Sequence, residues 1–360
     1  MAVTVAGAGM AGLVAAARLR ELGTAPVVFE KGTEPGGSMR LSSCVVWRHR
    51  EWDDFRADCP GGDERLQRIV WEQLDDGIAW LESLGAPVVW EETGNPRTVG
   101  KRFDPDRLTA VLIEAAGGDV RLGEAAGDDV SILSTGGFQA SAELVDEHIH
   151  PSARLRLRAN PWSSGDGLRI ALARGAALSA GMDEFYGRNM PDADFSPADF
   201  VAQAQLYGRY ARVFDERGDE FFHEPVSWSE VDLVQATARR PNARAWYVLD
   251  EQALAHPLRV GTVAELVAAA PASTRIDPAE LPFAVPGESR VAIRVAPGIT
   301  HTIGGLRIDE CARVLGRGGS AIDGLFAAGA DVGGISTGGY ASGLAAALVF
   351  GRIAAESAVG

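Results

Sequence analysis

The chain has 360 residues, 46% of them hydrophobic and 23% charged, and a formal net charge of −15. That length suffices for a large core and two domains, and the composition is that of an ordinary soluble globular protein. So acidic a surface excludes nucleic acid and anionic membrane as natural partners, because both repel it.

Cys44, Cys59 and Cys311 are widely spaced and odd in number, which fits a reducing compartment and offers no spacing for a metal site. The apolar N-terminal stretch is broken by glycines and by Arg18 and Arg20, unlike a signal peptide. Near the C-terminus the longest apolar run, Leu344 to Phe350, is too short to cross a bilayer. The expectation is a cytoplasmic protein without metal, membrane span or nucleic-acid partner.

A short apolar strand, Ala2 to Ala6, leads into Gly7-Ala8-Gly9-Met10-Ala11-Gly12 and then an Ala/Leu-rich helix. In a strand–turn–helix of this kind Gly7 makes the tight turn, Gly9 lets backbone approach a pyrophosphate, and Gly12 lets the helix pack closely on the strand. The helix N-terminus, from Met10 and Ala11 onward, offers N–H groups and a positive dipole end to the phosphates. A second strand, Pro26 to Phe29, ends in Glu30, where a carboxylate can bind ribose hydroxyls. The following loop, Lys31 to Arg40, is dense in turn residues, and Gly36-Gly37 lets backbone amides approach the same ligand.

Together, Gly7 to Gly12, Glu30 and Gly36-Gly37-Ser38 resemble the FAD domains of the flavoprotein superfamily that includes fumarate reductases and 3-ketosteroid dehydrogenases. The resemblance implies an α/β fold: a Rossmann-like FAD-binding domain, a parallel sheet with helices on both faces, carrying an inserted α+β cap. Residues 1–189 and 298–360 are assigned to the FAD domain and 190–297 to the cap, which nine prolines, Pro286 among them, break into short elements.

Residues 63 to 86 suggest two helical stretches, and 104 to 116 another amphipathic helix. His49, between Arg48 and Arg50, reads as a solvated residue; with no Ser-His-Thr context for covalent attachment, the resemblance implies non-covalent FAD. A strand at Val120 to Leu122 precedes Val130 to Phe138, where Ser134-Thr135-Gly136-Gly137-Phe138 is similar to the family's Ala-Thr-Gly-Gly-Phe turn. Gly123 to Asp129 leaves no room for the small β-meander of relatives, so a trimmed FAD domain is expected. Ser164-Gly165-Asp166-Gly167 resembles a Thr-Gly-Asp-Gly turn, with Asp166 as helix N-cap near the adenine-diphosphate end.

Within the cap, Val213 to Glu224 resembles the family's Gly-Lys-Arg-Phe-x-Asn-Glu hairpin and Ala245 to Glu251 the strand after it. The proton-donating arginine of fumarate reductases is missing beyond that strand, where Gln252 to His256 stand instead. His301 to Leu306 is similar to the family's His-Thr-Met-Gly-Gly-Leu motif, whose histidine binds substrate in relatives acting on dicarboxylates. Ile322 to Asp331 resembles the second FAD motif, with Gly329 at its turn and Asp331 as the acid for the ribityl chain. Gly339, Ser342 and Leu344 belong to the turn opening a final helix, whose amides and dipole would face flavin N1 and the C2 carbonyl.

The resemblance therefore implies an FAD-dependent oxidoreductase that adds or removes hydrogen across a carbon–carbon bond beside a carbonyl of a small organic substrate. Tyr340, His301, Tyr186 and Tyr207 are the candidates for proton transfer or carbonyl polarisation. The missing arginines favour a neutral substrate and the dehydrogenase direction. A redox-neutral isomerase or cyclase and a fumarate reductase-like enoate reductase stay open as alternatives, as do the electron partner and the oligomeric state.

Overall fold

A computed structural model describes every residue except Met1, Ala2, Glu224 and Pro286. The first residue of the predicted opening strand, the end of the predicted hairpin and one cap proline thus lie outside the described residues. The chain divides into two compact units, the first of residues 1–144, 159–184 and 301–360, the second of residues 145–158 and 185–300.

The first unit is organised on a six-stranded sheet in the order Arg313–Leu315, Ala321–Ala327, Ile132–Leu133, Thr4–Ala6, Val27–Glu30, Val120–Leu122. All neighbours are parallel except the Arg313–Leu315 edge. The inner strands are short and apolar because helices cover them: Val5, Ala6, Val28, Ile132, Leu133 and Ala327 are all buried. This is the Rossmann-like α/β arrangement expected, and no strand is described between Leu122 and Ile132.

Small side chains set the helix packing. The opening helix, Met10–Glu21, is buried along most of its length through alanines and leucines. The closing helix, Gly343–Val359, comes so near it that a Cβ at Gly351 would stand 2.8 Å from the Ala11 carbonyl oxygen. Where two helical stretches were expected between residues 63 and 86, the structure has one continuous helix, Glu64–Ser83, with Asp63 accepting from the Arg65 N–H as its cap. A mid-helix glycine costs about 1 kcal/mol against alanine. Here Gly77 is where Leu348 of the closing helix packs, 3.1 Å from the position a Cβ would take, so tertiary contact overrides the local weakness. A separate antiparallel sheet orders Val45–His49, Thr98–Phe103 and Val88–Trp90, with His49 opposite Thr98.

The second unit contains the sheet Arg212–Phe214, Ala245–Leu249, residues 291–300 of the strand Val291–Thr302, and Arg275–Ile276. Arg156–Leu157 and Phe185–Pro191 also pair with that long strand. Tyr207, Leu233, Tyr247, Ile293 and Val295 fill one face of the sheet, and Phe214, Trp246, Val248 and Ala292 the other.

Candidate cofactor and active site

Two glycine turns meet at the start of the opening helix. Gly7 has φ +95°, and a Cβ on it would lie 2.3 Å from the Ser134 carbonyl oxygen. At Gly12 a Cβ would stand 1.8 Å from the Gly7 oxygen, whereas no atom lies within 4 Å of the same position at Gly9. Space is thus closed by backbone on the strand side and open beside Gly9. The Gly36 N–H donates to the Ala8 oxygen at 2.7 Å, and Gly37 brings the second turn within 3.2 Å of the Gly9 Cα, measured from where a Cβ would be. Ser38 accepts from the Asn160 amide nitrogen at 2.9 Å and ties that turn down. No side chain caps the helix at Gly9 and no acid occupies its first turn. Uncapped amides at Met10, Ala11 and Gly12, facing an opening walled by glycine, fit the pyrophosphate of a dinucleotide.

Glu30 is buried and held by backbone: one carboxylate oxygen accepts from the Ala8 N–H at 2.8 Å and the other from the Gly32 N–H at 2.7 Å. Each oxygen keeps a further lone pair for a ribose hydroxyl. Trp162, which the sequence pattern does not single out, lies against Gly32, its Cδ1 2.6 Å from the position a Cβ would take there. Lys31 donates to Asp166 and to Ser164, both at 2.8 Å. Asp166 is therefore not the cap of its helix; Gly165, at φ +87°, holds that position and the carboxylate turns to the lysine instead.

Asp331, to which the resemblance gives the ribityl chain, also has protein partners of its own. Its carboxylate is buried and accepts from the Thr135 N–H at 2.5 Å, the Thr135 hydroxyl at 2.9 Å and the Gly137 N–H at 3.0 Å, clamping the Thr135-Gly136-Gly137 turn. Ser134 donates to the Ala6 oxygen at 2.7 Å and ties the same turn to the opening strand. Gly329, at φ +69°, leaves room for Ala11, whose Cβ is 2.9 Å from the position a Cβ would occupy. Asp331→Asn places an amide N–H₂ among donors, and the unmatched groups are expected to cost about 1–3 kcal/mol. Urea denaturation measures it, and an unchanged midpoint removes the clamp from the account of this turn.

Around the closing helix, His301 and Tyr340 come together. The His301 Nδ1 donates to the Thr302 carbonyl at 3.1 Å, a bond that places the ring proton on Nδ1, because a carbonyl only accepts. The Nε2 edge faces the first turn of the helix, 3.1 Å from where a Gly343 Cβ would be. Burial lowers the pKa of this imidazole, outweighing the carbonyl bond that raises it. Tyr340 has its ring centroid 6.4 Å from that of His301 and 5.6 Å from that of Trp47. Glycine is required before it, since a Cβ at Gly339 would overlap the Asp58 carbonyl oxygen at 1.7 Å. Ser342 caps the helix through the Ala345 N–H at 3.3 Å, and Leu344 follows partly buried.

His49 is fully buried, not solvated. It stacks on Phe55 at 5.0 Å, meets Trp47 edge-on at 5.4 Å, and bonds through Nε2 to Asp58 at 2.9 Å. No motif marks the aromatic wall beside Tyr340, but the sequence carries a signal for it: on a strand, residues 47 and 49 share a face opposite Arg48.

Two of the four proton-transfer candidates belong to the second unit. Tyr186 is partly buried, with the Arg188 guanidinium 4.8 Å above its ring. Tyr207 is fully buried in the core, donates to the Gln205 side-chain oxygen at 2.5 Å and packs edge-on against Tyr247. Burial also pushes its phenol well above the ordinary range. Its place is that of a packing residue with a satisfied hydroxyl, and it drops out of the proton-transfer set.

Sequence profiles match this geometry: one described as FAD binding domain covers residues 103–344, and one described as NAD(P)-binding Rossmann-like domain covers residues 5–61. A probable fumarate reductase of Shewanella frigidimarina is 25% identical over 444 aligned positions, covering 99% of this chain and 74% of that protein. Among solved structures, 3-ketosteroid Δ1-dehydrogenase from Sterolibacterium denitrificans superimposes with a TM-score of 0.75 at 16% identity, covering 99% of both chains. The open conformation of a flavocytochrome c3 fumarate reductase gives 0.71 at 22% identity, over 99% of this chain and 78% of that one.

Proposed function

We propose that this chain, which belongs to the FAD binding domain family and is an FAD-dependent oxidoreductase, moves hydrogen across a carbon–carbon bond beside the carbonyl of a small, neutral substrate. The observation that carries this reading is the pairing of His301 and Tyr340 at the start of the closing helix, in the unit that holds the FAD cradle. When bound, FAD supplies the site that accepts or returns hydride at N5. The protein's part is to hold the cofactor and to handle the proton.

We assign the diphosphate to the amides of Gly9 to Gly12 and the adenosine ribose to Glu30. Gly339, Ser342 and Leu344 open the helix whose N-terminal amides would face the pyrimidine end of the flavin. Tyr340 is assigned the proton at the substrate, its hydroxyl donating to or accepting from the reacting carbon or carbonyl. His301, neutral and with Nε2 as acceptor, is assigned the polarising or relaying position beside it. The turn from Val332 to Gly343 contains no arginine, so it offers no cationic partner to a dicarboxylate. That absence supports a neutral substrate and the dehydrogenase direction.

An anaerobic titration of the yellow protein with saturated and unsaturated ketones tests the reading. Bleaching of the flavin band by a saturated ketone is expected; reoxidation of chemically reduced protein by an enone alone makes it a reductase. No response to any ketone or enone overturns the proposal. The flavin is expected to be released in full when the protein is boiled, because no covalent anchor is assigned; yellow precipitate with a colourless supernatant contradicts this.

The lowered pKa of His301 has a definite sign. Between that value and the ordinary value of about 6.5, the unfolded chain binds a proton that the folded state refuses, so stability rises with pH through this window and is fully present above it. Activity is expected to follow the neutral imidazole, with kcat/KM level at neutral pH and declining only below about 6.5. In His301→Gln that acid limb should vanish; a limb that persists assigns it to another group.

A further inference from the structure

A polar cavity of about 570 Å³ lies within the second unit. Arg154, Arg156, Arg158 and Arg244 line it against Asp192 and Asp194, a local surplus of positive charge in a chain whose net charge is −15. Asp192 is the organising group. Its side chain is 3% exposed and lies 2.5 Å from Arg156, 2.8 Å from Arg244 and 2.9 Å from Arg294. One carboxylate cannot neutralise three guanidiniums; Glu216 reaches Arg244 only at 3.7 Å, and Asp194, fully exposed, adds a solvent-screened partner to Arg156 at 3.0 Å. Arg158 is held in place by donating to the Thr300 hydroxyl at 3.0 Å and the Phe200 carbonyl at 2.9 Å. Arg156 also donates to the Ala193 carbonyl at 2.7 Å, but each guanidinium carries five N–H donors in a rigid fork, so Arg244, held on Asp192 through Nε, and the exposed Arg154 keep donors for a ligand.

We propose that this cavity is an anion site that takes the phosphate group of a small phosphorylated metabolite about the size of a mononucleotide. Planar donors pre-set by a buried acid suit the tetrahedral oxygens of a phosphate dianion, which matches the surplus of two charges among the lining groups. The volume falls among small-molecule sites and exceeds what a bare phosphate fills. Phe195, partly exposed on the wall, gives the remainder of the ligand an apolar surface. The lining residues all belong to the second unit, so the site does not draw on the FAD cradle.

The experiment titrates the FAD-loaded protein with adenosine 5′-monophosphate by calorimetry while the flavin absorbance is followed, and repeats it with inorganic phosphate and with adenosine. One-to-one binding of the monophosphate is expected, competed by inorganic phosphate, weakened by salt and leaving the flavin spectrum unchanged. Adenosine should not bind. Arg154→Gln, at an exposed side chain that makes no ion pair among the described residues, should weaken the affinity about tenfold, as expected for losing a charge-assisted contact. Arg244→Gln removes a partner of Asp192 and should weaken it further; if that variant does not fold, Arg154→Gln decides. Absence of binding, adenosine binding as well as its monophosphate, equal affinity in Arg154→Gln, or loss of flavin absorbance during titration each overturns the site.

Discussion

Alanine at position 12 is expected to leave the protein nearly colourless. Its Cβ would stand 1.8 Å from the Gly7 oxygen and 2.6 Å from the Ser134 hydroxyl, and neither can retreat. The Gly7 oxygen is backbone in a turn at φ +95°, and the hydroxyl is committed to the Ala6 carbonyl. The helix must therefore lift from the strand, which opens the cradle at the end where the diphosphate would sit. Overpacking of this kind costs typically about 1–3 kcal/mol, and FAD retained after purification should fall below about a tenth of the normal ratio, a loss of more than about 1.4 kcal/mol in binding. Gly9→Ala is the informative partner. With no atom within 4 Å of its Cβ, it should fold with unchanged secondary structure and melting temperature in the FAD-free form, yet bind FAD poorly because the methyl projects into the open space. Flavin absorbance per protein and circular dichroism separate the two, and full FAD content in Gly12→Ala means the close packing does not shape the cradle.

Tyr340→Phe should lower kcat by about 10²–10⁴, the usual range for removing a positioned proton donor, with normal flavin content. The ring itself stays in its contact with Trp47, so packing is conserved while the hydroxyl is lost. Single-turnover bleaching of the flavin is the measurement, because it isolates the hydrogen-transfer step from reoxidation. If the Tyr340→Phe protein bleaches at the normal rate, the tyrosine serves only as an aromatic wall and His301 inherits the proton.

Much of the cofactor cradle is legible in the chain, since glycines at fixed spacing after a strand have a local steric cause. Gly7, Gly9, Gly12 and Glu30 stand where that logic puts them. Long-range partners are less visible. The motif around Asp331 points to a ligand, although its carboxylate is engaged by Thr135 and Gly137, nearly two hundred residues away in sequence. Acids favour helix starts, which makes a cap of Asp166, but Lys31 competes for it. His49 looks exposed because arginines flank it, though the pleat of a strand sends neighbours to opposite faces. Tyr207 offers a hydroxyl in the sequence, and only the core around Tyr247 reveals how that hydroxyl is used. The arginine cavity draws on separated segments and leaves no motif at all.

The contact between the opening and closing helices bears on the order in which the protein folds. Ala11, in the first turn of the opening helix, is backed by Gly351, and Arg18 pairs with Glu356 at 2.8 Å. The glycine turn and the helix that backs it therefore lie far apart in the chain. Until the two helices meet, the opening one lacks part of the surface it buries against, and contacts of such sequence separation form slowly. A turn shaped by so distant a pair is thus completed late in folding, after the local structure around it has formed.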